Sequence, residues 1–378
     1  MIKFLEAVLI LSGMIIGVGM FGIPFSFAKA GFLLGTVLLL FLTIAMTVFH
    51  ISYAQVVSQT PTPHRLPGYV RLYLGYRFSL LAWLAALFGI IGTLFAYILI
   101  GGRFLNLLLG EIVPAGGETF WVLFIVFFGA LVTALPLRRE ALVNGILTSF
   151  LVLFILFLSG FLMPQIKYEN LRGFDINSIF LPYGVLLFAL SGSIAIPDLV
   201  ALVGGNMRKS RRAITIGTFI PAFLYFLFAM VVLGAVGSGV SEETLGSLRA
   251  VAGDTALLFG GVVGILAVFT SFVVLSSNFQ SLLRLDFGAS RISSWFFATL
   301  LPPVLYFLGL RNFITIIAVV GALAVGFDSA LILGCYYKLL VKTNSVLAKK
   351  SLLWMIPLCV IIMAGILYEF YILAGSLY

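Results

Sequence analysis

The sequence predicts an all-α integral membrane protein with 11 transmembrane helices, arranged as two inverted five-helix repeats plus one extra helix, with helices 1 and 6 discontinuous. Three observations carry this reading. Of 378 residues, 62% are hydrophobic and 9% charged, against roughly 45–50% and roughly 25% in soluble domains. Apolar stretches of bilayer length recur along the whole chain, and the mean hydropathy is +1.22. Glycine and proline interrupt two of those stretches at matching places. A soluble chain of this composition would expose large apolar patches and aggregate. That excludes a soluble enzyme, a disordered chain and a nucleic-acid binder.

A span needs about 20 mostly apolar residues. Breaks at charged or Gly/Pro clusters give spans 1 to 6 at Phe4–Ala28, Phe32–Val57, Leu80–Leu109, Thr119–Leu135, Ala141–Met163 and Ile179–Val203. Spans 7 to 11 lie at Ala213–Val236, Thr255–Leu283, Ile292–Leu308, Phe313–Leu340 and Leu352–Leu373. The longest polar stretches, Ser58–Ser79 and Gly237–Asp254, are too short for a separate domain. Lys3 before an apolar run has the look of a signal peptide, but no small-residue cleavage site comes after it and the run continues past Pro24, so it is read as a retained first span. Cys335 and Cys359 both lie in apolar stretches and are expected to be free, buried thiols.

The net charge of +9 reflects loops kept on the cytoplasmic side rather than a nucleic-acid footprint. With the N-terminus inside, the inner side holds 16 of the 22 basic residues, among them Arg65, Arg71, Arg77, Arg138, Arg139, Arg208, Lys209, Arg211 and Arg212. Most acids fall outside, including Glu111, Glu118, Glu242, Glu243 and Glu369. The expected protein is therefore a multi-pass plasma-membrane protein with a cytoplasmic N-terminus and an extracytoplasmic C-terminus.

Span 6 begins 175 residues after span 1 (179 minus 4), and spans 2 to 5 pair with spans 7 to 10 at offsets of 172 to 181. The expected organisation is a first repeat over 1–165, a second over 176–342, and span 11 within 350–378. An odd number of spans per repeat turns the second copy upside down, the plan of secondary transporters.

Span 1 holds Gly13, Gly17, Gly19 and Gly22 ahead of Pro24; span 6 holds Ser191, Gly192 and Ser193 ahead of Pro197. Glycine costs a helix about 1 kcal/mol and proline about 3, so both clusters favour unwinding at mid-membrane, where unwound backbone is tolerated only in a cavity or buried in protein. Gly17, Gly19 and Gly22 also spell the dinucleotide fingerprint G-x-G-x-x-G, but no strand precedes it, Pro24 interrupts the stretch after it, and no acid lies between Glu6 and Glu111 to hold a ribose. Gly13 and Gly17 spell G-x-x-x-G, which plain helix packing would explain. Paired breaks in two halves point instead to a transport site. N–H groups at one half-helix start attract a carboxylate, and carbonyls at the other half-helix end attract an ammonium or a cation. An amino acid zwitterion suits such a site.

The run GVGMFGIPFSFAKAG, ending at Gly31, resembles the first span of the amino acid/auxin permease family and is similar to that of the bacterial hydroxy- and aromatic-amino-acid permeases. LPYGVLLFALSGSIAIPDL resembles span 6 of the same group. The resemblance covers the layout of essentially the whole chain and is specific in spans 1, 6 and 8. It implies the five-plus-five inverted-repeat fold of the amino acid–polyamine–organocation superfamily, also seen in the bacterial leucine transporter. It also implies substrate contacts: the N–H groups of Val18 and Gly19 for the carboxylate, carbonyls near Ile15, Phe188, Ala189 and Ser191 for the amino group, and the side chains of Met20, Ser193 and Tyr97 near the substrate's own side chain. In sodium-coupled members of this fold, a hydroxyl pair on span 8 and carbonyls from the span 1 break and span 8 hold the ion. Here those positions are Thr270 and Ser271 with Gly13, Ile16 and Ala267. The leucine transporter's second sodium site uses an Asn where this chain has Met20, so one sodium is expected.

Bland readings stand beside these. A Thr-Ser pair in a span bonds back to its own helix, and a mid-span tyrosine such as Tyr97 packs with a satisfied hydroxyl. Asp198 is expected to cap the inner half of span 6, His50 to be a structural hydrogen bonder, and Arg103 to snorkel to the outer face. Asp328, deep in span 10 without a basic partner in its span, is the candidate proton carrier. The expected function is secondary active amino acid transport by cation-coupled symport, for neutral or aromatic amino acids, with sodium ahead of the proton. No cofactor is expected beyond that coupling ion, and the partners are the amino acid and the lipid bilayer, with no nucleic acid or nucleotide. Without a P-loop, ATP is not the driver, and the remote alternative of an intramembrane enzyme would need H-E-x-x-H or a similar cluster that the chain lacks. A channel would not need two matched breaks.

Overall fold

The computed structural model describes every residue except 1, 114–115, 135–139, 176–177, 179, 344 and 376–378. All regular structure among the described residues is helical. Leu135, Arg138, Arg139 and Ile179, with the repeat limits at 1 and 176 and the end of the span 11 segment at 378, lie outside them.

Among the described residues, eight helices are long and apolar enough to cross a membrane, and the bent pair Ile2–Ile15 and Val18–Ala30 makes a ninth. Helices Gly117–Thr133 and Arg291–Phe307, 17 residues each, stand at spans 4 and 9. At 1.5 Å per residue each is about 26 Å long, just short of a hydrocarbon core of about 30 Å. Other spans run past the expected limits, because charged turns continue a helix beyond the lipid. Span 3 begins at Tyr76, span 7 at Met207, and span 8 covers Leu245–Phe287 with a kink at Gly253. A short helix, Leu66–Leu74, joins spans 2 and 3. Cys335 is buried and Cys359 half-buried, both free.

Span 1 divides into 1a, Ile2–Ile15, and 1b, Val18–Ala30, bent by 47°. Gly17 is extended (φ −146°, ψ −160°), and Val18–Gly22 forms a tight 3-10 turn. Pro24 falls in the first turn of the helix Ile23–Ala30, where a missing N–H costs nothing. Span 6 divides into 6a, Phe180–Ala189, and 6b, Ile196–Leu202, with a 3-10 turn at Ser193–Ala195 and Pro197 again in the first turn. The span 1 break lies against spans 3, 6a, 8 and 10, and span 7 packs along 1a. The membrane face from which span 1 starts is termed proximal, and the opposite face distal.

Candidate binding site at the two helix breaks

In span 1 the helical ladder ends with Ile16 N–H to Ser12 O (2.8 Å) and resumes with Met20 N–H to Gly17 O (3.3 Å). Between them the N–H groups of Val18 and Gly19 and the carbonyls of Gly13 and Ile16 have no ladder partner among the described residues. In span 6 the ladder ends with Leu190 N–H to Leu186 O and Ser191 N–H to Phe188 O, and resumes with Ala195 N–H to Gly192 O. The Phe188 carbonyl is thus engaged, while that of Ala189 is outside the ladder.

The two breaks touch. A β-carbon on Gly19 would stand 2.9 Å from both Cα and Cβ of Ala189 and 3.0 Å from Phe188 Cδ1. Glycine is required there by close approach, not only by unwinding. Met20 is fully buried beside this contact, whereas Ser191 and Ser193 are half-buried.

Three side chains absent from the sequence-based site hold this arrangement. Tyr225 of span 7, fully buried, donates its hydroxyl to Ile15 O (2.6 Å) and Ala189 O (3.1 Å), so one hydrogen bridges both breaks. The Gly17 N–H lies near the same oxygen. Ser12 Oγ donates to Gly217 O at 3.2 Å. That carbonyl is free because Pro221, four residues on inside span 7, has no N–H to offer. Thr244, the one non-glycine residue with positive φ (64°) among those described, donates its hydroxyl to Phe21 O at 2.5 Å. Its strained backbone is held where the distal loop meets span 1, as strain at functional sites commonly is. Pro221 is the readable signal for Ser12; nothing in sequence marks Tyr225 or Thr244.

On span 8, the Thr270 hydroxyl bonds to Leu266 O (2.9 Å) and Ala267 O (3.2 Å) of its own helix. Ser271 lies near the hydroxyl of Tyr97. That hydroxyl lies 3.8 Å from where a Gly17 β-carbon would be. The fold therefore gathers Gly17, Tyr97 and Ser271, while Thr270 stays on its own ladder and Gly13 faces Thr148 of span 5.

Several expectations change. Asp198 makes no cap; the cap position is Ala195, and Asp198 pairs with Arg65 at 3.0 Å. Arg103 does not snorkel. It is 18% exposed and bonds Glu242 at 2.8 Å and Arg311 O at 2.7 Å, with Glu118 at 3.5 Å. Asn312 binds the other oxygen of Glu242 at 2.7 Å. His50 is fully buried, yet neither ring nitrogen has a partner among the described residues, so the expected hydrogen bond is not made there. Asp328 Oδ1 is likewise buried and unpartnered among them, one turn past the π-helical turn Gly321–Val325. Glu369, placed outside by the charge pattern, is 4% exposed.

The two faces are closed differently. Distally, the partly buried Arg103 cluster, Thr244 on Phe21 O, and Phe21 against Phe104 (ring centres 4.9 Å apart) seal the break. Proximally, among the described residues, the pair Arg65–Asp198 has side chains 58% and 59% exposed. Such a pair is worth at most about 1 kcal/mol.

The family model for the tryptophan/tyrosine permease family matches residues 1–343. The tyrosine-specific transport system 1 of Haemophilus influenzae is 25% identical over 279 residues, covering 73% of this chain and 67% of that protein. Among solved structures, MhsT in complex with L-phenylalanine matches with a TM-score of 0.69 at 16% identity, covering 97% of this chain and 98% of that one. Mhp1 in its inward-facing conformation matches with a TM-score of 0.67 at 12% identity, covering 99% and 91%. At these identities the structural likeness is one of fold.

Proposed function

We propose that this chain, which belongs to the tryptophan/tyrosine permease family and is an amino acid transporter, carries neutral, chiefly aromatic amino acids by cation-coupled symport with alternating access. The observation that carries this reading is the contact of two helix breaks at Gly19 and Ala189, where N–H groups and carbonyls outside the ladder converge without a buried charged side chain. A carboxylate is held by the N–H groups of Val18 and Gly19, and an ammonium by the carbonyl ends. The surrounding Met20, Phe21, Tyr97, Phe104 and Phe188 suit an aromatic side chain. The names of the tyrosine-specific relative and of the phenylalanine complex support the same class.

Sodium is the favoured coupling ion because Ser271 and Tyr97 bring hydroxyl oxygens beside the Gly17 break, and a hard cation takes oxygen ligands. The second reading, proton coupling, rests on Asp328 and its unpartnered buried oxygen. Proteoliposome uptake of tyrosine, phenylalanine, tryptophan, leucine and serine, with sodium and pH gradients imposed separately, tests both. Concentrative uptake of the aromatic members driven by sodium is the expected result. Thr270→Ala with Ser271→Ala is expected to lower sodium-driven uptake about 100-fold, because a hard cation left under-coordinated in low dielectric is expensive, while Asp328→Asn keeps it. Uptake that ignores sodium, tracks the pH gradient and dies with Asp328→Asn would overturn the sodium assignment.

Alternating access is consistent with the unequal seals. The exposed Arg65–Asp198 pair on the proximal face opens at little cost, while the Arg103 cluster on the distal face is more buried. The proximal face is read as cytoplasmic from the basic residues it carries. A cysteine at Ser238, exposed on the distal face, is expected to react with an impermeant thiol reagent added outside intact cells, and one at Ser345 only after permeabilisation. The reverse pattern inverts the topology.

A further inference from the structure

The carbonyls assigned to the substrate's amino group are not idle. Ile15 O and Ala189 O, at the ends of 1a and 6a, share the hydroxyl hydrogen of Tyr225 at 2.6 and 3.1 Å. Tyr225 is wholly buried. The hydroxyl therefore donates to the span 1 break and reaches the span 6 break with the same hydrogen. Two half-helix C-terminal ends, each carrying partial negative charge, converge on one neutral O–H.

We propose that Tyr225 is an amine-specificity residue: its hydroxyl stands in for the substrate's ammonium in the empty site, and the ammonium must outcompete it for Ile15 O and Ala189 O. This rests on the breaks being the amino acid site. An ammonium is the stronger partner, with three donors and a full charge against one shared hydrogen. A ligand without an amino group gains nothing from these carbonyls, because Tyr225 already serves them. With the hydroxyl removed, both carbonyls are left buried without a donor until an amine arrives, so the amine becomes worth more. The residue thus serves both carbonyls when no amine is bound and sets how strongly the amino group is selected.

The test compares tyrosine with 3-(4-hydroxyphenyl)propionate, the same ring and carboxylate without the amine, in equilibrium binding to the detergent-purified wild type and Tyr225→Phe. The ratio of the analogue's Kd to that of tyrosine is expected to rise about tenfold in the variant, one charge-assisted hydrogen bond's worth, while the analogue's own Kd moves less than about twofold. An unchanged or lower ratio, or both ligands weakened by one factor, overturns the proposal, since a purely structural bond would act on both alike. Tyr225→Met, lacking ring and hydroxyl, is expected to raise the ratio too. If neither variant folds, the hydroxyl is a structural bond and the proposal fails. A wild type that binds neither tyrosine nor any other amino acid overturns the site assignment itself, which is read from the wild type alone.

Discussion

Gly19→Val is expected to abolish amino acid uptake while the protein still elutes as a single folded species in detergent. A β-carbon at this position meets the backbone of Ala189 at 2.9 Å and the ring of Phe188 at 3.0 Å. Spacings that short are not sustained, and the nearest atom is main chain rather than the tip of a flexible side chain. The two breaks must separate, and the γ-methyls shield the N–H proposed to hold the substrate carboxylate. Overpacking of this kind costs about 1–3 kcal/mol. Applied to the bound state, the upper figure corresponds to a loss of about 100-fold in affinity. Gly19→Ala carries the β-carbon without the methyls and is expected to retain measurable uptake with a raised KM. Normal transport by the valine variant would remove the span 1 break from the site.

The breaks are legible in the sequence because they use glycine and proline, whose local energetics act within a few residues. Gly17, Pro24, Gly192 and Pro197 interrupt or restart helices where the composition says they must. The spans are legible for a similar reason, since bilayer thickness imposes a length that hydropathy reports. Short spans 4 and 9 and the overlong span 8 show its limit. A helix end depends on capping and on charged turns outside the lipid, which hydropathy does not weigh.

The fastening of the breaks is not legible. Tyr225 acts on a carbonyl 210 residues away and Thr244 on one 223 residues away, and both partners are main-chain atoms that leave no mark in a side-chain pattern. A mid-span tyrosine reads as packing until the fold brings two helix ends to its hydroxyl. Arg103 misleads for the same cause. Alone on a span it should reach for water, but Glu242, 139 residues on, comes to it. Asp198 has a partner 133 residues away in Arg65, and that pairing outweighs its local tendency to cap a helix start.

Gly321→Val is expected to be the most destructive single substitution in spans 6 to 10. Gly321 opens the π-helical turn Gly321–Val325 of span 10. A β-carbon there would overlap the carbonyl oxygen of Gly184 on 6a and stand 2.7 Å from Phe188 N. The contact is reciprocal, for a β-carbon on Gly184 would overlap Ala318 O. Between membrane helices the driving force is close packing of small residues rather than burial from water, and two backbones at this separation gain dispersion and Cα–H···O contacts. Both colliding atoms belong to main chain, so no rotamer change relieves the clash, and the cost lies at or above the upper end of about 1–3 kcal/mol. Its reach is functional as well. Span 10 presses on 6a only a few residues before Phe188 and Ala189, and the same π turn sets the register of Asp328. Gly321→Val is therefore expected to lose the monodisperse species and all uptake. Gly321→Ala is expected to fold, with a lowered unfolding temperature and reduced transport. Gly160→Ala, on span 5 with nothing within 4 Å of the added carbon, serves as the neutral control. Thermal unfolding and uptake of the three variants side by side measure the effect. A Gly321→Val protein as stable and active as Gly160→Ala would mean that spans 6 and 10 do not approach as closely as the structure places them.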